Sequence, residues 1–131
     1  MSATIGLAVP PAAADLMPEG IRVTAHDRPG ALVIRVAGNL DVYTVPGFRR
    51  AVEPHLAGAG PVVVDLTAVR LLDSTGLGAL VTVRNRLLDD GRRLGLACGR
   101  SARIIQVTGL WPTFVCATDL AAVLALLRGV T

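Results

Sequence analysis

Lysine is absent from the 131 residues, so every one of the 13 basic side chains is an arginine. Without a lysine there can be no phosphate loop of the Walker type, which needs that residue to reach the phosphates. Gly76 and Gly78 therefore resemble such a loop only in composition. Aromatic side chains make up 3% of the chain, so the interior has to be built from Val, Leu, Ile and Ala, and no aromatic platform exists for stacking bases. Cysteine is nearly missing too. Cys98 and Cys116 stand in neither paired nor metal-ligand spacing, and both are expected to be reduced and buried, behaving as small hydrophobes. Finally, no apolar run reaches the roughly 18 residues needed to cross a bilayer. The beginning of the chain lacks the basic region and continuous apolar core of an export signal. A cytoplasmic protein without membrane contact is the expectation.

What is present suits one domain. Hydrophobic residues make up 52% of the sequence, enough for a core at this length and too little chain for two. The net charge of +3 comes from arginines scattered over turns and helix faces, which reads as solvated surface and not as a nucleic-acid patch. Residues 1–20, with Pro10, Pro11 and Pro18, read as a flexible lead-in, and residues 21–131 as the domain.

The organising stretch is Pro61 to Asp90. Val62, Val63 and Val64 form a strand of the kind covered on both faces. A polar turn follows at Asp73, Ser74, Thr75 and Gly76, and then a helix with Leu77, Leu80, Val81, Leu87 and Leu88 on its apolar side. Asp73 or Ser74 is its N-cap, since either side chain can accept from an amide that the first turn leaves free. A hydroxyl is thus presented where a helix begins.

Around this unit, Ile21 to Ala25 alternates as a half-buried strand, with His26 and Asp27 ending it. Arg28, Pro29 and Gly30 turn the chain into a second strand, Ala31 to Ala37. Gly38 and Asn39 break that strand, and a helix starts after Tyr43 or Thr44, with Pro46 in its first turn, and runs to about Leu56. Leu94 to Cys98 is a third apolar strand, reached by a helical crossover and so parallel to its partner. Ser101 is expected to cap a short helix with Ile104, Ile105 and Val107 inward. Trp111 marks a corner to be packed in the core, Phe114 to Cys116 a brief edge strand, and Thr118 or Asp119 caps a last helix ending near Arg128.

Enzymatic readings fare poorly. An aspartic-protease triplet is spoiled by the extra residue between Asp73 and Gly76, and no second copy supplies the other carboxylate. Ser74 as a nucleophile needs a base in reach, and neither His26 nor His55 belongs to a turn facing it. Asp41 is the other polar residue of interest, placed either to project towards the Ser74 turn or to close an Asx turn of its own.

Taken together, GNLDVYTVPGFRRAV, VVVDLTAVRLLDSTGLGAL and VTGLWPTF followed by TDLAAVLALL resemble the ordered motifs of the STAS-domain anti-sigma factor antagonists, over about residues 20 to 128. The resemblance implies an α/β fold: a small mixed sheet with an antiparallel first strand, packed by about four helices. It also implies partner switching, in which the unphosphorylated antagonist binds an anti-sigma factor and frees a sigma factor. That anti-sigma factor is commonly a serine kinase whose ATP phosphorylates the antagonist, and a phosphatase reverses the step. By carry-over Ser74 is the acceptor, and Asp41, Thr44, Asp73, Thr75, Gly76, Leu77 and Gly78 form the partner-binding surface. No cofactor, metal or catalytic residue is implied for the chain itself. The alternative is a STAS scaffold or ligand-sensing module that works without phosphorylation.

Overall fold

The computed structural model describes residues 20–129; the lead-in at 1–19 lies outside the described residues. Strands β1 (Ile21–Arg28) and β2 (Ala31–Leu40) form the hairpin expected around Pro29 and Gly30. Helix α1 (Val45–Val52) follows, then a single 3-10 turn (Glu53–His55). Next come strand β3 (Val62–Leu72), helix α2 (Ser74–Asp89) and strand β4 (Leu94–Ala97). Helix α3 (Ala102–Val107), strand β5 (Val115–Ala117) and helix α4 (Leu120–Gly129) complete the chain. The five strands lie in the order β1-β2-β3-β4-β5, with β1 antiparallel to β2 and all other pairs parallel.

Strand alternation sends successive side chains to opposite faces, and each face has its own apolar cover. Val62, Val64 and Leu66 of β3 meet Phe48 and Val52 of α1, Leu77, Leu80 and Leu87 of α2 and Ile105 of α3. On the other face Val33 and Val63 meet Val123, Leu124 and Leu127 of α4. The central strand is thus buried on both sides, as its run of valines requires.

Several boundaries differ from the sequence reading. β2 does not stop at Gly38 but runs on to Leu40. Gly38 adopts φ +101, and a Cβ there would sit 2.3 Å from the Gly20 carbonyl oxygen, so the glycine permits close pairing rather than a break. β3 continues past the valines for eleven residues in all. It carries Asp65 into the interior at 3% exposure, where Arg35, at 3.3 Å, and the amide and hydroxyl of Thr67, at 2.9 and 2.6 Å, donate to its carboxylate. A carboxylate so fully hydrogen-bonded can sit in a strand interior that composition alone argues against.

The α1 helix ends at Val52 because Pro54 cannot donate in an α-helical pattern, and the chain tightens into the 3-10 turn. On α2, Val83 faces inward while Leu88 is exposed and Val81 half-buried. The apolar stripe therefore drifts from the one read in the sequence. Ser101 gives no side-chain cap to α3, and Val107 points outward. Asp119 is the residue that caps α4, accepting from the Ala122 amide at 2.8 Å. Trp111 is half-buried and packs against the larger core.

Candidate functional site

Parallel β2 and β3 end side by side, Leu40 opposite Leu72, and both strands turn into helices there. The two turns are held together by one side chain. Asp73, in extended conformation at the N-cap of α2, accepts from the Gly76 amide through Oδ1 at 2.9 Å. Its second oxygen, Oδ2, accepts from the Val42 amide of the neighbouring turn at 3.2 Å. The Asp73 amide in turn donates to the Leu40 carbonyl at 3.3 Å. One carboxylate thus satisfies an orphan donor of the helix and staples the β2–α1 turn to the β3–α2 turn.

The β2–α1 turn is closed from within. Asp41 Oδ1 accepts from the amides of Tyr43 and Thr44, at 3.0 and 3.1 Å, which is an Asx turn. Thr44 is fully buried. Its hydroxyl accepts from the Asp41 amide and donates to the Asn39 carbonyl, both at 2.9 Å. Asp41 therefore shapes its own loop, and the link to the Ser74 turn runs through Val42 and Asp73.

This scaffold leaves a defined set of groups outside. Ser74, Thr75 and Gly78 are exposed on the first turns of α2, whereas Gly76 and Leu77 are buried. Of the residues assigned to partner binding, Thr44, Gly76 and Leu77 are buried beneath the surface of the two turns. A Cβ on Gly76 would lie 2.3 Å from the Leu40 oxygen and 2.8 Å from Leu72 Cδ1, so the absent side chain is what lets the two turns approach. Next to the hydroxyls the β2–α1 turn exposes Val42 (54%) and Tyr43 (77%). Sequence reading passed over this pair; its signal was two large side chains in a turn that has no core to fill.

The matching sequence profile covers residues 22–122 and is that of the STAS domain. The chain belongs to the STAS domain family. Among curated relatives it is 35% identical over 80 residues to an anti-sigma-B factor antagonist of Staphylococcus aureus, covering 59% of this chain and 74% of that one. It is 39% identical over 80 residues to the Listeria monocytogenes anti-sigma-B factor antagonist, covering 59% and 70%. A crystal structure of an anti-sigma factor antagonist from Mycobacterium paratuberculosis superposes with a TM-score of 0.74 at 30% identity, over 86% of this chain and 98% of that one.

Other parts of this STAS domain offer less. A surface cavity of about 500 Å³ lies at the opposite end of the sheet, between the Ala57–Pro61 loop and Asp90–Arg93. Its buried Arg92 donates to the carbonyls of Gly60 and Leu56, at 2.7 and 2.9 Å, and so serves as a loop clamp. Among the described residues no group of His, Cys, Asp and Glu could hold a metal, and no helix is long and apolar enough to cross a membrane.

The staple makes a direct expectation. Asp73→Ala removes the cap and leaves the Val42 amide without its acceptor, and should cost about 1–2 kcal/mol of stability, read from the urea unfolding midpoint. Asp73→Asn keeps an oxygen for the Gly76 amide and should cost clearly less.

Proposed function

We propose that this STAS domain is an anti-sigma factor antagonist that works by partner switching, with Ser74 as its switch. The observation that carries the reading is the exposed Ser74 hydroxyl at the first position of α2, on a platform stapled by Asp73 and flanked by exposed Val42 and Tyr43. Relatives at 35% and 39% identity bear the name anti-sigma-B factor antagonist. In this reading the unphosphorylated chain covers its turn with an anti-sigma factor and frees a sigma factor. The anti-sigma factor is a serine kinase that contributes the ATP, and a phosphatase resets the cycle. The chain itself catalyses nothing, and it works in the cytoplasm, beside RNA polymerase.

A phosphate at Ser74 would add about −1.5 to −2 charges. Within the domain the positive N-terminal end of the sixteen-residue α2 accommodates that charge. A partner that covers the hydroxyl has to desolvate the dianion, and there the switch acts.

The test is incubation with candidate kinase-type anti-sigma factors and magnesium ATP, followed by intact mass. Wild type should gain one phosphate and Ser74→Ala none. A phosphate retained by the alanine variant would move the acceptor to another hydroxyl, Thr75 being the exposed neighbour.

Tyr43 supplies a second check. An exposed aromatic beside the switch suits an interface anchor, since tyrosine is enriched among the few residues that dominate binding. Tyr43→Ala should weaken the complex by about 2 kcal/mol, roughly 30-fold, while stability stays within about 0.5 kcal/mol of wild type, as for other surface substitutions.

A further inference from the structure

The edge of the sheet brings together two cysteines that are far apart in the chain. Cys98 directly follows β4, and Cys116 is the middle residue of β5. In the parallel register Cys116 stands beside Leu96. The Cys98 amide donates to the Ala117 carbonyl at 2.8 Å, which continues the pairing past the end of β4. Residues two apart in a strand share a face, so Cys98 projects on the same side as Leu96 and Cys116, and all three meet the larger core. Cys98 Sγ lies 3.7 Å from the Leu96 carbonyl oxygen, to which its S–H donates, and is thereby turned back towards the position that Cys116 adjoins.

The two thiols differ in access. Cys98 is fully buried, whereas Cys116 is half-buried. They differ in acidity too. The neighbouring Cys98 thiol holds the Cys116 thiol below the ordinary range, while the nearness of Cys116 and burial push Cys98 up and keep it protonated. An accessible sulfur with thiolate character beside a shielded second thiol is the arrangement found at redox-responsive sites. Both thiols are free and Cys98 is buried as expected; Cys116, only half-buried, departs from the expectation.

We propose that Cys98 and Cys116 form a reversible disulfide site that responds to hydrogen peroxide. The Cys116 thiolate attacks one peroxide oxygen, the O–O bond breaks, and the departing hydroxide takes up a proton and leaves as water. Cys116 is then a sulfenic acid. The Cys98 sulfur attacks it, its proton leaves with the sulfenic hydroxyl as a second water, and the S–S bond forms. Two thiols are oxidised and one peroxide is reduced to two waters. The bond closes the loop that holds α3 and the Trp111 corner against the edge of the sheet.

The experiment is peroxide treatment of the reduced full chain, followed by intact mass and a non-reducing peptide map. Wild type should become lighter by two hydrogens as a monomer, show residues 98 and 116 linked, and return to its starting mass with dithiothreitol. The oxidised form should have the higher urea unfolding midpoint, because the cross-link restricts the unfolded chain. Cys116→Ser should stay at its own mass, since Cys98 is shielded. Cys98→Ser, checked for native circular dichroism, should accumulate a sulfenic acid at Cys116 that dimedone traps. The wild-type and Cys116→Ser results decide the matter even if Cys98→Ser does not fold. A wild-type chain that stays unchanged, gains only oxygen, or links only to a second chain would overturn the proposal.

Discussion

Ser74→Glu should bind the anti-sigma factor at least about tenfold more weakly than wild type, and a chain phosphorylated on Ser74 at least about a hundredfold more weakly. The reasoning is electrostatic. Both carboxylates beside the turn, Asp41 and Asp73, are committed to backbone amides, so the added charge falls in a region already negative. No arginine forms an ion pair with either of them among the described residues. Like charges brought together in an interface cost several kcal/mol, and every 1.4 kcal/mol is a factor of ten. The phosphate carries nearly twice the charge of a glutamate, hence the larger loss. Neither change should harm the fold, because Ser74 is exposed and Asp73 alone provides the cap. Calorimetric titration with far-ultraviolet circular dichroism on the same samples separates the two effects.

Two glycines separated by one residue should respond in opposite ways. In Gly76→Ala the new methyl overlaps the Leu40 carbonyl and Leu72, and the obstacle is backbone that also accepts the Asp73 amide. Helix propensity returns about 1 kcal/mol on going from glycine to alanine, but overpacking of this kind costs about 1–3 kcal/mol or more. The clash is with a main-chain atom, so we expect the upper end to apply and the variant to lose about 2 kcal/mol net, with partner binding falling as the two turns separate. At Gly78 a Cβ meets nothing within 4 Å and the position is exposed. Gly78→Ala should therefore gain about 0.5–1 kcal/mol. If it nonetheless binds the partner less well, Gly78 belongs to a surface that requires close approach. Urea midpoints set against titration constants distinguish a scaffold glycine from a contact glycine.

How far the sequence reveals this molecule depends on which interactions are local. The unbroken valines at 62–64 announce a doubly covered strand, and a polar turn before an apolar period announces α2 and the exposed hydroxyl at its start. Those are patterns of neighbours. The extension of β3 through Asp65 was hidden because its justification lies in Arg35, on another strand. The extension of β2 past Gly38 was hidden because the glycine answers to the backbone of Gly20. The same holds at the site: Asp73 reads as a cap from sequence, but its second bond, to Val42, joins residues far apart in the chain. Thr44 sits at a helix start and looks like a cap, yet its hydroxyl is spent inside the β2–α1 turn. Cys98 and Cys116 become a pair only once β4 and β5 are laid side by side.

The most direct measurement is a calorimetric titration of the proposed kinase-type anti-sigma factor, with its ATP site empty, against one preparation of this chain before and after stoichiometric phosphorylation on Ser74. The account expects tight binding before, a loss of at least about a hundredfold after, and full recovery once a phosphatase removes the group. Equal affinity of the two forms would contradict it, because Ser74 would then lie outside the surface that the partner covers.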